Sequence, residues 1–150
     1  MKLRFLRSDK GTSLIEFAIV LPVLMFLLVG LIEFGRFGYD SILAANAARA
    51  GVQYGAQDTS TAIDSQGIIN AATADGQHLS SWTVTPNHLC SVSGGTPQAC
   101  SVATGSGPPT NTTYYVQVQV TGTFHPMLNY PGIPANVPVS GSAIMRVVSQ

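Results

Sequence analysis

Lys10-Gly11-Thr12-Ser13-Leu14-Ile15-Glu16-Phe17 leads directly into an apolar run, F-A-I-V-L-P-V-L-M-F-L-L-V-G-L-I, which continues without charge from Phe17 to Ile32 between Glu16 and Glu33. At a helical rise of about 1.5 Å the run spans roughly 24 Å, short of a hydrocarbon core of about 30 Å. Including Thr12 to Ile15 and Phe34 closes the gap and draws Glu16 inside the membrane boundary. A carboxylate there is costly and calls for a function. Pro22 removes one backbone donor, which a membrane helix tolerates where neighbours re-satisfy the freed carbonyl.

Charge gives the run a direction. Residues 1–11 hold four basic side chains (Lys2, Arg4, Arg7, Lys10) and one acidic, net plus three; residues 12–150 hold three basic and six acidic, net minus three. Basic residues before the run and few after it place the N-terminus in the cytoplasm and export everything beyond about residue 34. A cleaved secretory signal fits poorly, because small-residue pairs such as Ala45 and Ala47 come too far past the run, behind Glu33, Arg36 and Asp40. A nucleic-acid partner is excluded for the main body, where too little basic charge remains to neutralise phosphates.

The helix is expected to continue past the membrane surface to about Gln57, since Phe34–Gln57 has no proline and is rich in alanine. Tyr39, Ile42, Leu43, Asn46, Ala47, Ala50 and Tyr54 recur at spacings of three and four and suggest one face. Glu33, Arg36 and Asp40 form a charged stripe. Ala44, Ala45, Ala47, Ala48, Ala50 and Gly51 leave little bulk, so another helix or sheet could approach closely; helix propensity alone would explain them equally well. Asp58-Thr59-Ser60 is a polar break, and a second helix is predicted from about Thr61 to Ala74, with Ile63, Ile68, Ile69 and Ala72 buried and Gly76 as its stop.

The period then changes from helical to alternating. Ser81–Thr85 reads as a strand with Trp82 and Val84 on one face. Tyr114–Phe124 places Val116, Val118 and Val120 on one side, and Val137–Val148 places Val139, Ala143, Met145 and Val147 inward. The fold class is therefore α+β: a long N-terminal membrane-spanning helix, a second helix, and a small antiparallel sheet of about three strands with one face covered. Two long loops, His88–Thr113 and His125–Asn136, hold most of the prolines. The first holds Cys90 and Cys100, for which a disulfide in an oxidising compartment is the simplest reading. The domain plan is 1–11 as leader, 12–57 as membrane and extended helix, and 58–150 as exported domain.

Catalytic chemistry finds little support. His78, His88, Cys90, Cys100 and His125 lack metal-ligand spacing, so no metal and no cofactor is expected. There is no Gly-x-Ser-x-Gly elbow and no phosphate-cradling loop. Asn111-Thr112-Thr113 fits a glycosylation pattern that arises often by chance.

Gly11 and Glu16 remain. Glycine offers a protease no obstruction, and cleavage after it would create an ammonium at Thr12, four residues before the carboxylate. G-T-S-L-I-E-F-A-I-V-L-P-V-L-M-F-L-L-V-G-L-I-E-F-G-R-F, followed by A-A-N-A-A-R-A-G, resembles the TadE-like pseudopilins of the tight adherence (Flp-type) pilus system. The resemblance covers residues 11–55, and S-G-S-A-I-M-R-V resembles the family's closing strand. It implies that Gly11 precedes the bond cut by a prepilin peptidase, that Thr12 is the mature N-terminus, and that Glu16, followed by Phe17, is the carboxylate used in processing or assembly. Thr12 departs from the phenylalanine that starts many type IV pilins. The implied partners are the peptidase, other minor and major pilins, the assembly platform and membrane lipid. The implied location is a bacterial inner membrane, single pass, with the C-terminal domain periplasmic and incorporation into an extracellular pilus left open. An uncleaved, membrane-anchored binding domain is the alternative, and an exported hydrolase is a distant third.

Overall fold

The computed structural model describes residues 9–76, 81–100, 112–128 and 134–148. The chain divides into two units, Met1–Arg36 and Phe37–Gln150. Helix α1 (Asp9–Gly55) begins in the first and contributes its last turns to the second. In the first unit Leu, Ile, Val, Phe and Met side chains point outward on every side, and nearly all the large ones from Leu14 to Ile32 are exposed. A helix that is apolar all round needs an apolar surrounding. Its length and composition suffice to cross a membrane, with Pro22 inside it.

The second unit is an α+β domain. α2 (Thr59–Ile63) and α3 (Ser65–Asp75) replace the single predicted helix. The break falls at Asp64, whose carboxylate accepts from the Gly67 N–H at 2.9 Å and so caps α3. Asp58 caps α2 in the same manner: its carboxylate accepts from the Ser60 N–H, and its own N–H donates to Thr61 Oγ1 at 3.0 Å. Splitting the helix rotates its first residues, so Ile63, expected inside, is 58% exposed and Ala62 is buried instead. Ile68 and Ala72 are buried as expected, and Gly76 ends α3 with its N–H on the Ala72 carbonyl.

Four antiparallel strands, β1 (Thr83–Val92), β2 (Gln98–Ala99), β3 (Thr112–Phe124) and β4 (Val137–Arg146), lie in the order β2-β1-β3-β4. β1 runs through Pro86, where the sequence reading stopped it. β2 pairs only with Leu89 and Cys90, so Pro86 has a strand on one side alone and its missing N–H costs no ladder bond on the open edge. Val116, Val118 and Val120 are fully buried. Each contributes about 1.5–3 kcal/mol of apolar burial. Met145, predicted inward, is 40% exposed at the end of the edge strand, whereas Val139 and Val147 are buried.

The sheet covers the small-residue side of α1, the close approach that Ala44, Ala47, Ala48 and Gly51 leave room for, and not the side that carries Tyr39 and Ile42. Tyr39 and Ile42 are 57% and 63% exposed and Asn46 is exposed, while Ala44, Ala47, Ala48, Gly51, Val52 and Gly55 are buried. Small residues win because they let backbones meet. A Cβ on Gly141 of β4 would come within 2.5 Å of the Ala44 carbonyl oxygen and the Ala45 nitrogen, and one on Gly51 would lie 3.2 Å from both Val118 methyls. α1 ends at Gly55 rather than Gln57, and the chain returns to it: the Val148 N–H donates to the Ala56 carbonyl at 3.1 Å. That bond satisfies an acceptor just past the helix end.

Candidate functional site

The residues singled out by sequence lie in the first turns of α1. Gly11 and Thr12 are within the helix, and Glu16 and Phe17 follow on exposed positions. Thr12 and Glu16 lie four residues apart in α1, about 6 Å along the helix axis. No ion pair for Glu16 exists among the described residues.

The carboxylate at the other end of the apolar run is placed differently. Glu33 is buried and pairs with Arg36, one turn on, at 3.3 Å. The stripe that sequence drew through Glu33, Arg36 and Asp40 thus begins as an ion pair. Glu16 and Glu33 are seventeen residues apart, about 25 Å along a helix, so they bracket most of a hydrocarbon core.

Cys90 and Cys100 form a disulfide with Cα atoms 5.4 Å apart. The sequence reading placed both in a loop. Instead Cys90 lies in β1 and Cys100 directly follows β2, and the Cys100 N–H donates to the His88 carbonyl. The alternation of β1 continues past its proline, which composition alone hides. A bond closing so short a loop contributes about 2–3 kcal/mol. The turn between the two strands is held by Ser91, whose hydroxyl donates to the Gly95 carbonyl.

Of the remaining candidates, His88 is half-buried on the helix-facing side of β1, where burial lowers its pKa, and His125 is exposed. His78 and Asn111 lie outside the described residues. Among the described residues no three His, Cys, Asp or Glu side chains gather around a possible metal ion.

One polar cluster was missed by sequence reasoning. The Tyr54 hydroxyl, near the end of α1, donates to Asp64 Oδ2 at 2.9 Å. The Gly67 N–H and that hydroxyl hold the Asp64 carboxyl below its ordinary range, and the same bond raises the Tyr54 phenol. Gly67, an unexpected residue inside a helix, is explained by the same cluster: a Cβ there would lie 2.5 Å from the Tyr54 hydroxyl oxygen. A glycine three residues after an aspartate was the available signal.

A further feature was visible in the sequence. From Gly76 to Met145, seventy residues (145 − 76 + 1), the chain has no Lys, Arg, Asp or Glu. The sheet therefore carries a single formal charge among its described strands, Arg146 at the end of β4.

No curated protein and no solved structure matches the chain. A family model described as TadE-like protein matches residues 11–53. The match begins at Gly11, takes in Thr12, Glu16 and Phe17, and follows α1 to Gln53. Over these residues the chain is similar to the TadE-like family, as the sequence resemblance leads one to expect.

Proposed function

We propose that the chain is a minor pilin or pseudopilin of a tight adherence (Flp-type) pilus, cut after Gly11 by a prepilin peptidase and held in a bacterial inner membrane until it assembles. The observation that carries this reading is the TadE-like match, which starts at that glycine and includes Glu16. Gly11 presents no side chain to obstruct the peptidase, and the cut leaves an ammonium on Thr12. In a low dielectric opposite charges attract strongly and an unpaired charge is costly. Glu16 of one subunit and the Thr12 ammonium of its neighbour are then both satisfied only in the assembly. The residues beyond Phe37 form the part displayed on the periplasmic side, where they meet other pilins and the assembly platform and serve adherence.

The test is the N-terminus of protein taken from its native host. Lys2 and Lys10 are the two lysines of the chain. A chain cut after Gly11 loses both and keeps a lone amine, at its new N-terminus, so amine labelling followed by intact mass separates the cut from the uncut form. Gly11→Val blocks processing. Glu16→Leu leaves the helix in the membrane but abolishes assembly; normal piliation with that variant would refute the charge pair. An uncut chain in the presence of the peptidase would favour a simple anchored binding domain.

A further inference from the structure

The end of the second unit at which its chain enters is rich in exposed apolar and aromatic side chains. Phe37 is the first residue of that unit, and its ring meets Phe124, the last residue of β3, edge to face with centroids 5.7 Å apart. β3 therefore ends beside the point at which the domain is tethered. Phe34, which closes the apolar stretch of α1, precedes Phe37 by only three residues, about 4.5 Å of helix. Beyond Phe124 the chain continues through His125, Pro126, Met127 and Leu128, with Met127 72% and Leu128 48% exposed. This loop lies within the seventy residues that carry no Lys, Arg, Asp or Glu.

We propose that Met127 and Leu128 enter the boundary between lipid headgroups and acyl chains beside the emerging helix, giving the exported domain a second contact with the bilayer. The occupant is lipid for three reasons. The loop sits at the end of the domain continuous with the membrane-crossing segment. It brings no charged side chain that would have to be desolvated. The exposed Tyr39, two residues past Phe37 on α1, carries an amphipathic ring of the kind that gathers at membrane interfaces. Apolar side chains on a surface element sink about 5–10 Å into this region. The inference rests on α1 crossing a membrane and is independent of pilus assembly.

Three methionines of the unaltered chain report on it. The full chain is reconstituted in phosphatidylcholine vesicles and treated with peroxymonosulfate, an anionic oxidant that does not enter the bilayer, and sulfoxide formation is followed by peptide mass spectrometry. From exposure in the protein alone, Met127 should oxidise faster than Met145, which is 40% exposed on β4. The expected result is the reverse order, with Met25 in the apolar run protected. Faster oxidation of Met127 than of Met145, with Met25 protected, overturns the loop contact. Protection of Met127 that vanishes when the protein is diluted in lipid also overturns it, in favour of a second copy of the chain. Oxidation of Met25 removes the membrane crossing and the inference with it.

Discussion

Between Ser13 and Ile32, α1 carries large apolar side chains on every side and leaves nearly all of them exposed; between Phe37 and Gly55 it exposes Tyr39 and Ile42 and buries Ala44, Ala47, Ala48, Gly51 and Gly55. One stretch needs bulk and tolerates any direction, because lipid tails conform to whatever they meet. The other needs the absence of bulk along a single line, because a rigid sheet approaches to backbone contact. Hydrophobicity marks the first kind of surface and misleads about the second.

The largest effect expected from this contrast is at Gly141. Gly141→Val drives a branched side chain into the backbone at Ala44 and Ala45. Overpacking of a core costs about 1–3 kcal/mol, and more where the atoms it meets are backbone. Thermal unfolding of the full chain in detergent, followed by circular dichroism, should show the domain transition lost or greatly lowered; an unchanged transition breaks the close-approach account.

A smaller effect comes from the polar contact that fixes the end of α1. The Asp64 carboxyl is held below its ordinary value of 3.8, first by the Gly67 N–H and then by the Tyr54 hydroxyl. A lowered folded-state pKa stabilises above the unfolded value and loses that contribution as pH falls through the folded value. The melting temperature should therefore fall as pH drops below about 4, and Asp64→Asn should flatten this acid limb. Some slope remains in the variant, since Asp58 is lowered in the same direction by the Thr59 hydroxyl and the Ser60 N–H. Identical acid limbs would sink the role given to Asp64.

The smallest effect is at Ala18, exposed in the first unit. Ala18→Leu adds the same kind of bulk that Gly141 cannot accept, yet it should leave the domain's melting temperature within the equivalent of about 0.5 kcal/mol. A large shift there would erase the distinction between the two stretches.

Where one side chain's environment follows from its neighbours in sequence, the chain was legible. The apolar run and the alternation of Val116, Val118 and Val120 fall in this class. The buried side of α1 was legible only as one of two readings, because its alanines fit helix propensity as well as close packing, while the pattern through Tyr39 and Ile42 points to the exposed side. The split at Asp64 was missed although its signal is local, an aspartate that caps the Gly67 N–H three residues on, and the passage of β1 through Pro86 was not legible, since it depends on β2 being too short to reach it. For the candidate site, sequence offers the spacing of Gly11 and Glu16 and no partner, since a partner leaves no mark on a single chain.

The meeting of Gly141 with Ala44 also has a mechanical consequence. In the role proposed above, load would enter along α1 and, within the second unit, reach the sheet where Gly141 meets Ala44. That contact lies between main-chain atoms, which cannot yield by a rotamer change as interlocked leucines do. The Val148 N–H on the Ala56 carbonyl adds a second fastening at the far end of the same helix. Tension entering at Phe37 is resisted at both places, so the domain should slip as one piece rather than unravel from its helix.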